Sequence, residues 1–476
     1  MINFITPVRQ KIILALGLSM LLTTTLLGAD NPKVDGNSTV EDSLVIEKLE
    51  KWQDLKFGLF MHWGAYSQWG IVESWSLCGE DREFINRNRP VDKYPDYDQY
   101  KKAYRNLQKT FNPLQFDPAK WVEPAIKAGM KYVIFTTKHH DGFCMFDTKE
   151  TDYKITSTLC PYHIQPKANV TKEIFNTFRD NGFMIGAYFS KPDWDSEYYW
   201  WPYFPTRDRN ANYDPLKYPE RWQKFRDFTF NQIKELMTGY GDVDILWLDG
   251  GQVNPSQNNQ DINMPGIAQM ARRYQPGLII VDRGQKGPYT NYETPEQRIP
   301  ETAIVTPWET CMTMGDQWSY KPFDNYKSTH QLVHLLVDIV AKGGNFLLNI
   351  GPQPDGELPA VAVSRLEEIG EWMSVNGEAI YGTRPVAPYK EGSVAFTQKE
   401  NTVYAIWMEE SEGEGLPGKI AFSKLQPPKG SKVYLLGYKQ PCKWEIDDSG
   451  KTNIFIPLKA VKSPPCKHAY VFKFVL

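Results

Sequence analysis

Two adjacent histidines and an aspartate follow an apolar stretch of the sequence. In "YVIFTTKHHDGF" (132–143), five apolar or β-branched residues run directly into Lys138, His139, His140 and Asp141. The end of a strand is a costly place for polar groups unless they hold each other or a group that enters from solvent. The pattern therefore predicts a binding or catalytic site at the carboxyl end of a strand.

A second apolar stretch, "DVDILWLDGG" (242–251), ends in Asp249 and two glycines. The glycines leave open space beside the carboxylate, which suits a reacting group, although an aspartate after a strand can also cap a helix. Asp244, at the start of the same strand, is interpreted as structural. Other strand ends also carry functional groups, and this convergence favours a chemical role for Asp249.

A carboxylate that does chemistry needs a partner, and "NYETPEQ" (291–297) supplies Glu293 and Glu296. Two carboxyl groups, one a nucleophile and one a proton donor, are what retaining glycoside hydrolysis requires. Arg283, at the end of the preceding strand, would lower the pKa of the nucleophile, and aromatic walls would keep the donor protonated.

The histidines allow two interpretations. On the glycosidase hypothesis, His62, His139 and His140 hydrogen-bond the hydroxyls of a sugar. Together with Asp249 they could instead ligate zinc in a metal-dependent barrel hydrolase. The spacings HxH and HExxH are absent, and adjacent histidines of a regular strand point to opposite faces. No metal and no cofactor are therefore predicted, and the metal-dependent hydrolase is the alternative.

Short apolar strands, separated by amphipathic helical stretches, recur between residues 49 and 384. The predicted strands are 57–64, 132–140, 183–190, 244–251, 278–284, 303–309 and 344–351, and the clearest helices are 117–130, 171–182, 219–241 and 328–343. Strands buried on both faces that alternate with helices are typical of a parallel α/β sheet.

The strand ends decide between two parallel architectures. An open dinucleotide-binding sheet needs a glycine-rich turn such as GxGxxG, and none follows a strand in this sequence. A (β/α)8 barrel directs all its strand ends at one shared site, and at least six of these strands end in functional groups. The sequence predicts an irregular (β/α)8 (TIM-like) barrel over residues 49–384, whose eighth strand the pattern does not reveal.

The pattern changes in the last part of the chain. Residues 385–476 contain short strands at regular spacing, such as "SVAFTQ", "TVYAIWM" and "AYVFKFVL", separated by turn residues. This spacing predicts a C-terminal antiparallel β-sandwich.

Residues 1–29 have the pattern of a secretory signal peptide. Arg9 and Lys11 precede an uncharged apolar run, and the small residues Gly28 and Ala29 mark the expected cleavage site. Residues 30–48 are predicted to be a linker. We expect an exported protein, periplasmic or extracellular, that is not inserted in the membrane after cleavage.

The composition excludes some classes of function. The net charge of −3 gives no basic footprint for nucleic acid. The 14% aromatic residues suit the apolar faces of sugars as well as a large core. Among the six cysteines, Cys442 and Cys466 are the most plausible disulfide pair, and no CxxC metal spacing occurs.

Six motifs in order carry a resemblance to a known family. "FGLFMHWG", "KHHDGF", "ILWLDGG", "YETPEQ", "WETC" and "GGNFLLNIGPQPDGELP" closely resemble the α-L-fucosidases of glycoside hydrolase family 29, from about residue 49 to 385. The resemblance implies an exo-acting enzyme that removes terminal α-linked L-fucose from oligosaccharides or glycoconjugates with retention of configuration. It implies the irregular barrel followed by a β-sandwich.

The resemblance also implies roles for individual residues. It makes Asp249 the nucleophile and Glu296 the acid/base, with Glu293 as second choice and Glu309 as third. The implied fucose pocket contains His62, His139, His140, Tyr188 and Arg283, with Trp63, Glu73, Trp75 and Trp308 as further members. A fucose-binding protein without catalysis would have lost a carboxylate, and all are present. The long loops after Tyr188 and after Asp249 depart from the family pattern, so the linkage preference does not carry over.

Overall fold

The computed structural model of the protein describes residues 42–82, 85, 89, 93–285, 287–304 and 306–476. The predicted signal peptide and residues 30–41 of the predicted linker lie outside these residues. The remainder of that linker is largely helical, because the first described helix begins at Ser43.

Parallel strands form a curled sheet at the centre of the first part of the chain. The strands are β1 Phe57–Met61, β2 Tyr132–Lys138, β3 Met184–Ser190, β4 Ile245–Asp249, β5 Ile279–Asp282, β6 Glu309–Thr313 and β7 Asn345–Ile350. Their order in the sheet is β5-β4-β3-β2-β1-β7-β6, which leaves β5 and β6 as the two edges. Almost every strand residue is buried, as expected for a sheet covered on both faces.

One strand differs from its prediction. The sequence predicted a strand over 303–309, whereas β6 begins at Glu309 and ends at Thr313. Pro307 lacks a backbone donor, and the strand that follows it is too polar to be recognised from its hydropathy. The prediction for this strand was wrong, because the predicted strand is displaced along the sequence from β6 by about the length of one strand.

A short segment closes the gap between the two edge strands, in the place of an eighth strand. Its backbone forms one isolated bridge to Trp308, just before β6, through Glu293 and another to Cys311 of β6 through Glu296. On the other side, Asn291 N donates to the carbonyl oxygen of Ile280 in β5. The irregular barrel is thereby confirmed, and the segment that closes it carries both candidate acid residues.

Helices surround the sheet and follow the predicted pattern. The four clearest predictions are confirmed as α3, α4, α5 and α8, and the Asp117 side chain caps α3 by accepting from Ala119 N. The α-helices of the described residues are α1 Ser43–Leu55, α2 Tyr97–Arg105, α3 Pro118–Lys127, α4 Val170–Asp180, α5 Pro219–Gly239, α6 Pro255–Asn258, α7 Met264–Tyr274, α8 Thr329–Ala341, α9 Ala360–Asn376 and α10 Leu458–Lys462.

The barrel interior contains a buried carboxyl group among aromatic rings. Glu309 accepts hydrogen bonds from Tyr132 Oη at 2.7 Å and from Trp247 Nε1 at 3.1 Å. Burial raises the pKa of Glu309 to about 7, although both donors act in the opposite direction. Glu309 lies at the start of β6, opposite the strand ends, and so belongs to the core.

The C-terminal part is an antiparallel sheet in the order β11-β14-β13-β12-β15-β10-β9-β8. The sheet folds over itself, because the ring of Phe396 on β9 lies 5.3 Å from that of Phe422 on β11, at the far end of the order. The β-sandwich is thus confirmed. Its strands are β8 Arg384–Glu391, β9 Val394–Lys399, β10 Thr402–Met408, β11 Lys419–Phe422, β12 Val433–Leu435, β13 Pro441–Ile446, β14 Thr452–Phe455 and β15 Ala469–Val475.

All six cysteines are described, and each is a free thiol. The predicted pairing of Cys442 with Cys466 is wrong. Cys466 Sγ instead donates to the carbonyl oxygen of Ala469 and accepts from Asn376 Nδ2. Within the described residues, no helix has the length and apolar character to cross a bilayer.

Candidate active site

A pocket of about 340 Å³ opens at the carboxyl ends of the barrel strands. This volume is at the lower end of the usual range for small-molecule sites, about 300–1,000 Å³. Its lining includes nine of the residues predicted from sequence: His62, Glu73, Trp75, His139, His140, Tyr188, Asp249, Arg283 and Glu296.

Asp249 ends β4 and is held by three donors. Its Oδ1 accepts from Gly250 N at 2.7 Å and from Arg283 Nη1 at 3.1 Å, and its Oδ2 accepts from Tyr188 Oη at 2.9 Å. Gly250 has φ +90°, and a Cβ there would lie 2.2 Å from Pro192 Cδ, so only glycine fits this turn. Burial alone would raise the pKa of Asp249, but Arg283 and the backbone donor hold it well below its usual range.

Arg283 joins the two candidate carboxyl groups. Its Nη1 donates to Asp249 and its Nη2 donates to Glu296 Oε2 at 2.5 Å. The guanidinium carbon lies 5.1 Å from the centre of the Trp247 ring, which supports it from within the barrel. One guanidinium therefore contacts both candidate carboxyl groups.

The Glu296 side chain owes its position to the segment that closes the barrel. The backbone N of Gln297 donates to the carbonyl oxygen of Cys311, and the Gln297 side chain donates to Thr313 Oγ1 at 3.0 Å. These contacts tie the residue directly after Glu296 to β6. The carboxyl group itself is 40% exposed at the pocket mouth, where a leaving group would lie.

Three histidines form one wall, and each has its Nδ1 atom fixed by a neighbour. His62 Nδ1 lies 2.7 Å from Asn349 Oδ1, an oxygen that can only accept. His62 Nδ1 is therefore protonated, and its Nε2 is an acceptor in the neutral ring. Burial lowers the pKa of His62 to about 4, so this ring is neutral at pH 7.

His140 has the same tautomer for a different reason. Its Nδ1 lies 2.7 Å from Ser190 Oγ, whose own proton is donated to the carbonyl oxygen of Pro192 at 2.6 Å. The His140 Nδ1 must then donate, which leaves Nε2 as an acceptor. Burial lowers the pKa of His140 to about 4 as well.

His139 has the opposite polarity. Its Nδ1 lies 2.5 Å from Ser74 Oγ, which already accepts from Asp141 N and has its proton free to donate. The His139 Nε2 then carries the proton. Burial lowers the pKa of His139 well below its usual value. The wall therefore offers a sugar two acceptors and one donor.

Glu73 is a fourth polar group of the pocket and is almost completely buried. Its Oε1 accepts from Ser319 N at 3.0 Å. Burial raises the pKa of Glu73 to about 8. Near neutral pH this carboxyl group is mostly protonated, so it can donate a hydrogen bond to a ligand.

Three predicted residues lie outside the pocket lining. Trp63 packs among Phe116 and Trp121 with its Nε1 donating to the carbonyl oxygen of Gln353. Trp308 is buried at the start of β6, where its Nε1 donates to the carbonyl oxygen of Lys342. Both are parts of the core.

Glu293 lines a different cavity. This neighbouring cavity of about 690 Å³ lies beside the closing segment, and its lining includes Glu293 but not Glu296. The two glutamates of "NYETPEQ" therefore face different spaces.

Arg209 and Trp318 are among the lining residues that the sequence did not single out. Arg209 lies over the ring of Trp75 at 4.5 Å and is held by Glu80, which accepts from its Nε at 2.5 Å and from its Nη2 at 2.7 Å. Trp318 lies against His62, with ring centres 5.1 Å apart. Arg209 belongs to the aromatic-rich loop after Tyr188, so the length of that loop was the available signal.

The same site contains a group that could hold a metal ion, since ligand atoms of His139, His140 and Asp249 lie within 4.8 Å of one another. The carboxylate, however, already accepts from Tyr188, Gly250 and the positive Arg283. A cation at Asp249 would have to compete with that guanidinium at short range. The arrangement favours an ionised nucleophile over a metal ligand.

Family patterns match nearly the whole described chain. The pattern described as "Alpha-L-fucosidase" matches residues 30–378, and that described as "Alpha-L-fucosidase C-terminal domain" matches residues 389–475.

Individual relatives agree with the family patterns. The alpha-L-fucosidase of Branchiostoma floridae is 26% identical over 454 residues, which cover 91% of this chain and 94% of the relative. The structure of alpha-L-fucosidase isoenzyme 1 from Paenibacillus thiaminolyticus superposes with a TM-score of 0.73 at 30% identity, covering 91% of this chain and 100% of its own.

A further similar structure contains a trapped covalent intermediate. It is a family 29 alpha-L-fucosidase from Bacteroides thetaiotaomicron, a covalent intermediate formed with 2-fluoro-fucosyl fluoride in a glutamate-to-glutamine mutant. It superposes with a TM-score of 0.70 at 26% identity, covering 90% of this chain and 96% of its own.

Proposed function

The chain belongs to the α-L-fucosidase family, and we propose that Asp249 is its nucleophile and Glu296 its general acid and base. Its activity is the hydrolysis of terminal α-linked L-fucose with retention of configuration. The observation that carries the assignment is the pair of contacts from one guanidinium, Arg283, to both carboxyl groups at the pocket mouth.

In the first step Asp249 attacks C1 of the fucosyl group. Its Oδ2 accepts a single hydrogen bond, from Tyr188, whereas Oδ1 accepts two, so Oδ2 is the better nucleophile. The bond from C1 to Oδ2 forms while the bond from C1 to the glycosidic oxygen breaks. Glu296 gives its proton to that leaving oxygen, and the fucosyl group remains on Asp249 as an ester.

In the second step water replaces Asp249. Glu296, now ionised, accepts a proton from a water molecule whose oxygen forms the new bond to C1. The ester bond to Asp249 breaks, and L-fucose leaves with the anomeric configuration that it had in the substrate. In the unliganded protein Glu296 pairs with Arg283. Substrate binding exchanges that contact for one to the glycosidic oxygen.

The histidine wall suits the hydroxyl groups of fucose. Neutral His62 and His140 each present an acceptor nitrogen, and His139 presents a donor. A sugar hydroxyl both donates and accepts, so such a mixed set satisfies several hydroxyls at once. The apolar rings of Phe60 and Trp318 in the same pocket suit the methyl group that distinguishes fucose from hexoses with a hydroxymethyl group.

Glu296 is favoured over Glu293 by its surroundings. Glu296 lines the pocket and contacts Arg283, whereas Glu293 lines the neighbouring cavity. Proline fixes φ at Pro295 and so restricts how the chain presents the next carboxyl group. The trapped relative, made with a glutamate-to-glutamine mutant, supports a glutamate in a catalytic role.

We also propose that residues 1–29 direct export and are removed. The mature chain then comprises a short N-terminal linker, a catalytic domain to residue 384 and a β-sandwich domain from residue 385. The basic start, the apolar run and the small residues at Gly28 and Ala29 support this proposal.

The nucleophile is tested with Asp249→Gly. We expect kcat to fall by several orders of magnitude with the fold retained, because the ester cannot form. Azide should restore part of the activity and yield β-fucosyl azide, since a small external anion can enter the space left by the carboxylate. Asp244→Asn is the matched control at the other end of the same strand, where the carboxylate pairs with Lys48 at 2.7 Å. Near-normal turnover of Asp249→Gly would exclude the assignment.

A further inference from the structure

Six of the seven histidines of the chain fall into two groups. Of seven histidines in the sequence, three line the active-site pocket. Three others, His330, His334 and His468, lie together where helix α8 meets the C-terminal sheet. The rings of His330 and His334 are 4.0 Å apart between centres, and those of His330 and His468 are 6.0 Å apart. The glycosidase mechanism uses none of them.

A buried carboxylate completes this second group. Ligand atoms of His330, Glu409 and His468 all lie within 4.8 Å of one another. His330 Nδ1 is 3.7 Å from Glu409 Oε2. Around a tetrahedral zinc ion with bonds of about 2.0–2.2 Å, ligand atoms stand roughly 3.3–3.5 Å apart. Small side-chain rotations therefore suffice to bring the three atoms onto one ion.

One buried nitrogen of this cluster has no hydrogen-bond partner in the described residues, and the hydrogen bonds to its buried carboxylate come from neutral donors. His330 Nδ1 is buried and has no hydrogen-bond partner in the described residues. Glu409 is 4% exposed and accepts from His468 N, Tyr470 Oη and Gly413 N, all of them neutral donors. In the described part of the chain, its only ion-pair neighbour within 4 Å is His330, which is charged only when protonated. Buried charges are normally paired or bound to a metal.

The backbone around His468 is arranged to present its ring. His468 has φ +73°, a left-handed conformation that few non-glycine residues adopt. Its carbonyl oxygen accepts from His334 at 2.9 Å and from Glu409 N at 3.1 Å. Because a carbonyl only accepts, His334 Nε2 is protonated and acts on the position of His468, as outer-shell residues do at metal sites.

We propose that His330, Glu409 and His468 bind a zinc ion, with His334 as a positioning residue. Two imidazole nitrogens and one carboxylate oxygen are a ligand set that zinc accepts, with water in the fourth position. Imidazole ligands favour zinc over calcium or magnesium. An adjoining surface cavity of about 420 Å³, lined by His330 and His334, gives the ion a path from solvent.

The site connects parts of the chain that are far apart in sequence. His330 lies in α8 of the barrel, Glu409 follows β10, and His468 precedes β15. Zinc bound here clamps the barrel helix to the C-terminal sheet and stabilises the native state, since the unfolded chain does not hold these ligands together.

The test uses the full chain, freed of metal with a chelator and titrated with Zn²⁺. We expect one saturable site by calorimetry and a rise in Tm with Zn²⁺. His330→Gln and His468→Asn should lose both the saturable site and the rise in Tm; asparagine tolerates positive φ and so preserves the backbone.

His163→Gln, outside both histidine groups, is the matched control and should behave as the original chain. His334→Ala should weaken Zn²⁺ binding by about 10–100-fold. The absence of saturable binding, or binding unchanged in His330→Gln and His468→Asn, would overturn the proposal.

A second measurement does not depend on the variants folding. Crystals of the unaltered protein soaked in Zn²⁺ should show an anomalous peak between His330, Glu409 and His468. A peak only at His139, His140 and Asp249 would refute the site. Fucoside hydrolysis at 25 °C should be the same before and after chelation. A failure of the zinc proposal therefore leaves the catalytic assignment untouched, and a failure of the catalytic assignment leaves the zinc proposal untouched.

Discussion

At the scale of single residues, the catalytic groups are set by their hydrogen-bond partners. Arg283 and Gly250 N keep Asp249 ionised in spite of its burial. Burial keeps His62 and His140 neutral, and Asn349 and Ser190 select their tautomers. The pocket therefore presents an ionised Asp249, paired with the positively charged Arg283, beside neutral histidines, and this arrangement suits double displacement at a sugar carbon.

The proton donor is tested by exchanging each glutamate for its isosteric amide. Glu296→Gln should abolish cleavage of fucosylated oligosaccharides, whose leaving groups need a proton, and should retain much activity on a nitrophenyl fucoside, which needs little protonation. Steady-state kinetics on both substrate types provide the measurement.

Glu293→Gln is the matched control, three residues earlier in the same segment. We expect it to keep activity on both substrates, because Glu293 lines the neighbouring cavity. If Glu293→Gln shows the substrate split and Glu296→Gln does not, the two roles are reversed.

At the scale of elements, β6 and the segment that closes the barrel determine where the acid residue lies. Glu296 reaches the pocket because its segment pairs with β6 at Cys311. At the other end of β6, Glu309 accepts from Tyr132 and Trp247 inside the barrel. One strand thus positions the proposed proton donor through its carboxyl-terminal half and anchors the barrel centre at its start.

Glu309 makes the stability of the barrel depend on pH. The pKa of Glu309 is about 7 in the native state, against about 4.3 in the unfolded chain. The native state therefore holds a proton that the unfolded state has lost, and stability falls as pH rises from about 4.3 through 7. The loss is on the order of 3 kcal/mol by pH 8.

Glu309→Gln removes that titration. The Tm of the variant minus that of the unaltered protein should therefore be lower at pH 5 than at pH 8. Thermal unfolding at both pH values is the measurement, with Glu301→Gln, an exposed glutamate, as control. A Tm difference that is the same at pH 5 and pH 8 would show that Glu309 does not titrate in this range.

The strands that could be predicted are the apolar ones. In β1, β2, β4 and β7, buried aliphatic and aromatic residues determine both the strand and its end, so His62, His139 and Asp249 were located at the pocket from sequence. β6 reads Glu-Thr-Cys-Met-Thr, and its polar side chains are satisfied by partners distant in sequence, such as Trp247 and the closing segment. No local pattern contains that information.

The misplacement of Trp63 has a simple physical cause. Successive side chains of an extended chain point to opposite faces, so His62 faces the pocket while Trp63 packs outward against Trp121. The rule fails for His139 and His140, which both line the pocket, because β2 has a register shift and ends at Lys138. Arg209 could not be placed from sequence, since Glu80, far from it in the chain, holds it.

At the scale of the whole molecule, the predicted export of the protein depends on residues 1–29, which lie outside the described residues. Expression in a host that processes signal peptides should release a mature chain that begins near Asp30, because the apolar run ends in small residues. Mass spectrometry of the released protein is the measurement. A full-length chain retained in the membrane would contradict the expectation.

In the proposed mechanism, catalysis passes through a fucosyl ester on Asp249. Incubation with 2-fluoro-fucosyl fluoride slows the breakdown of such an ester, because the fluorine destabilises the oxocarbenium-like transition state. Peptide mapping of the inactivated protein by mass spectrometry should then find one fluorofucosyl group, attached to the peptide containing "ILWLDGG" and fragmenting at Asp249. A label on any other residue, or inactivation without a covalent label, would contradict the account.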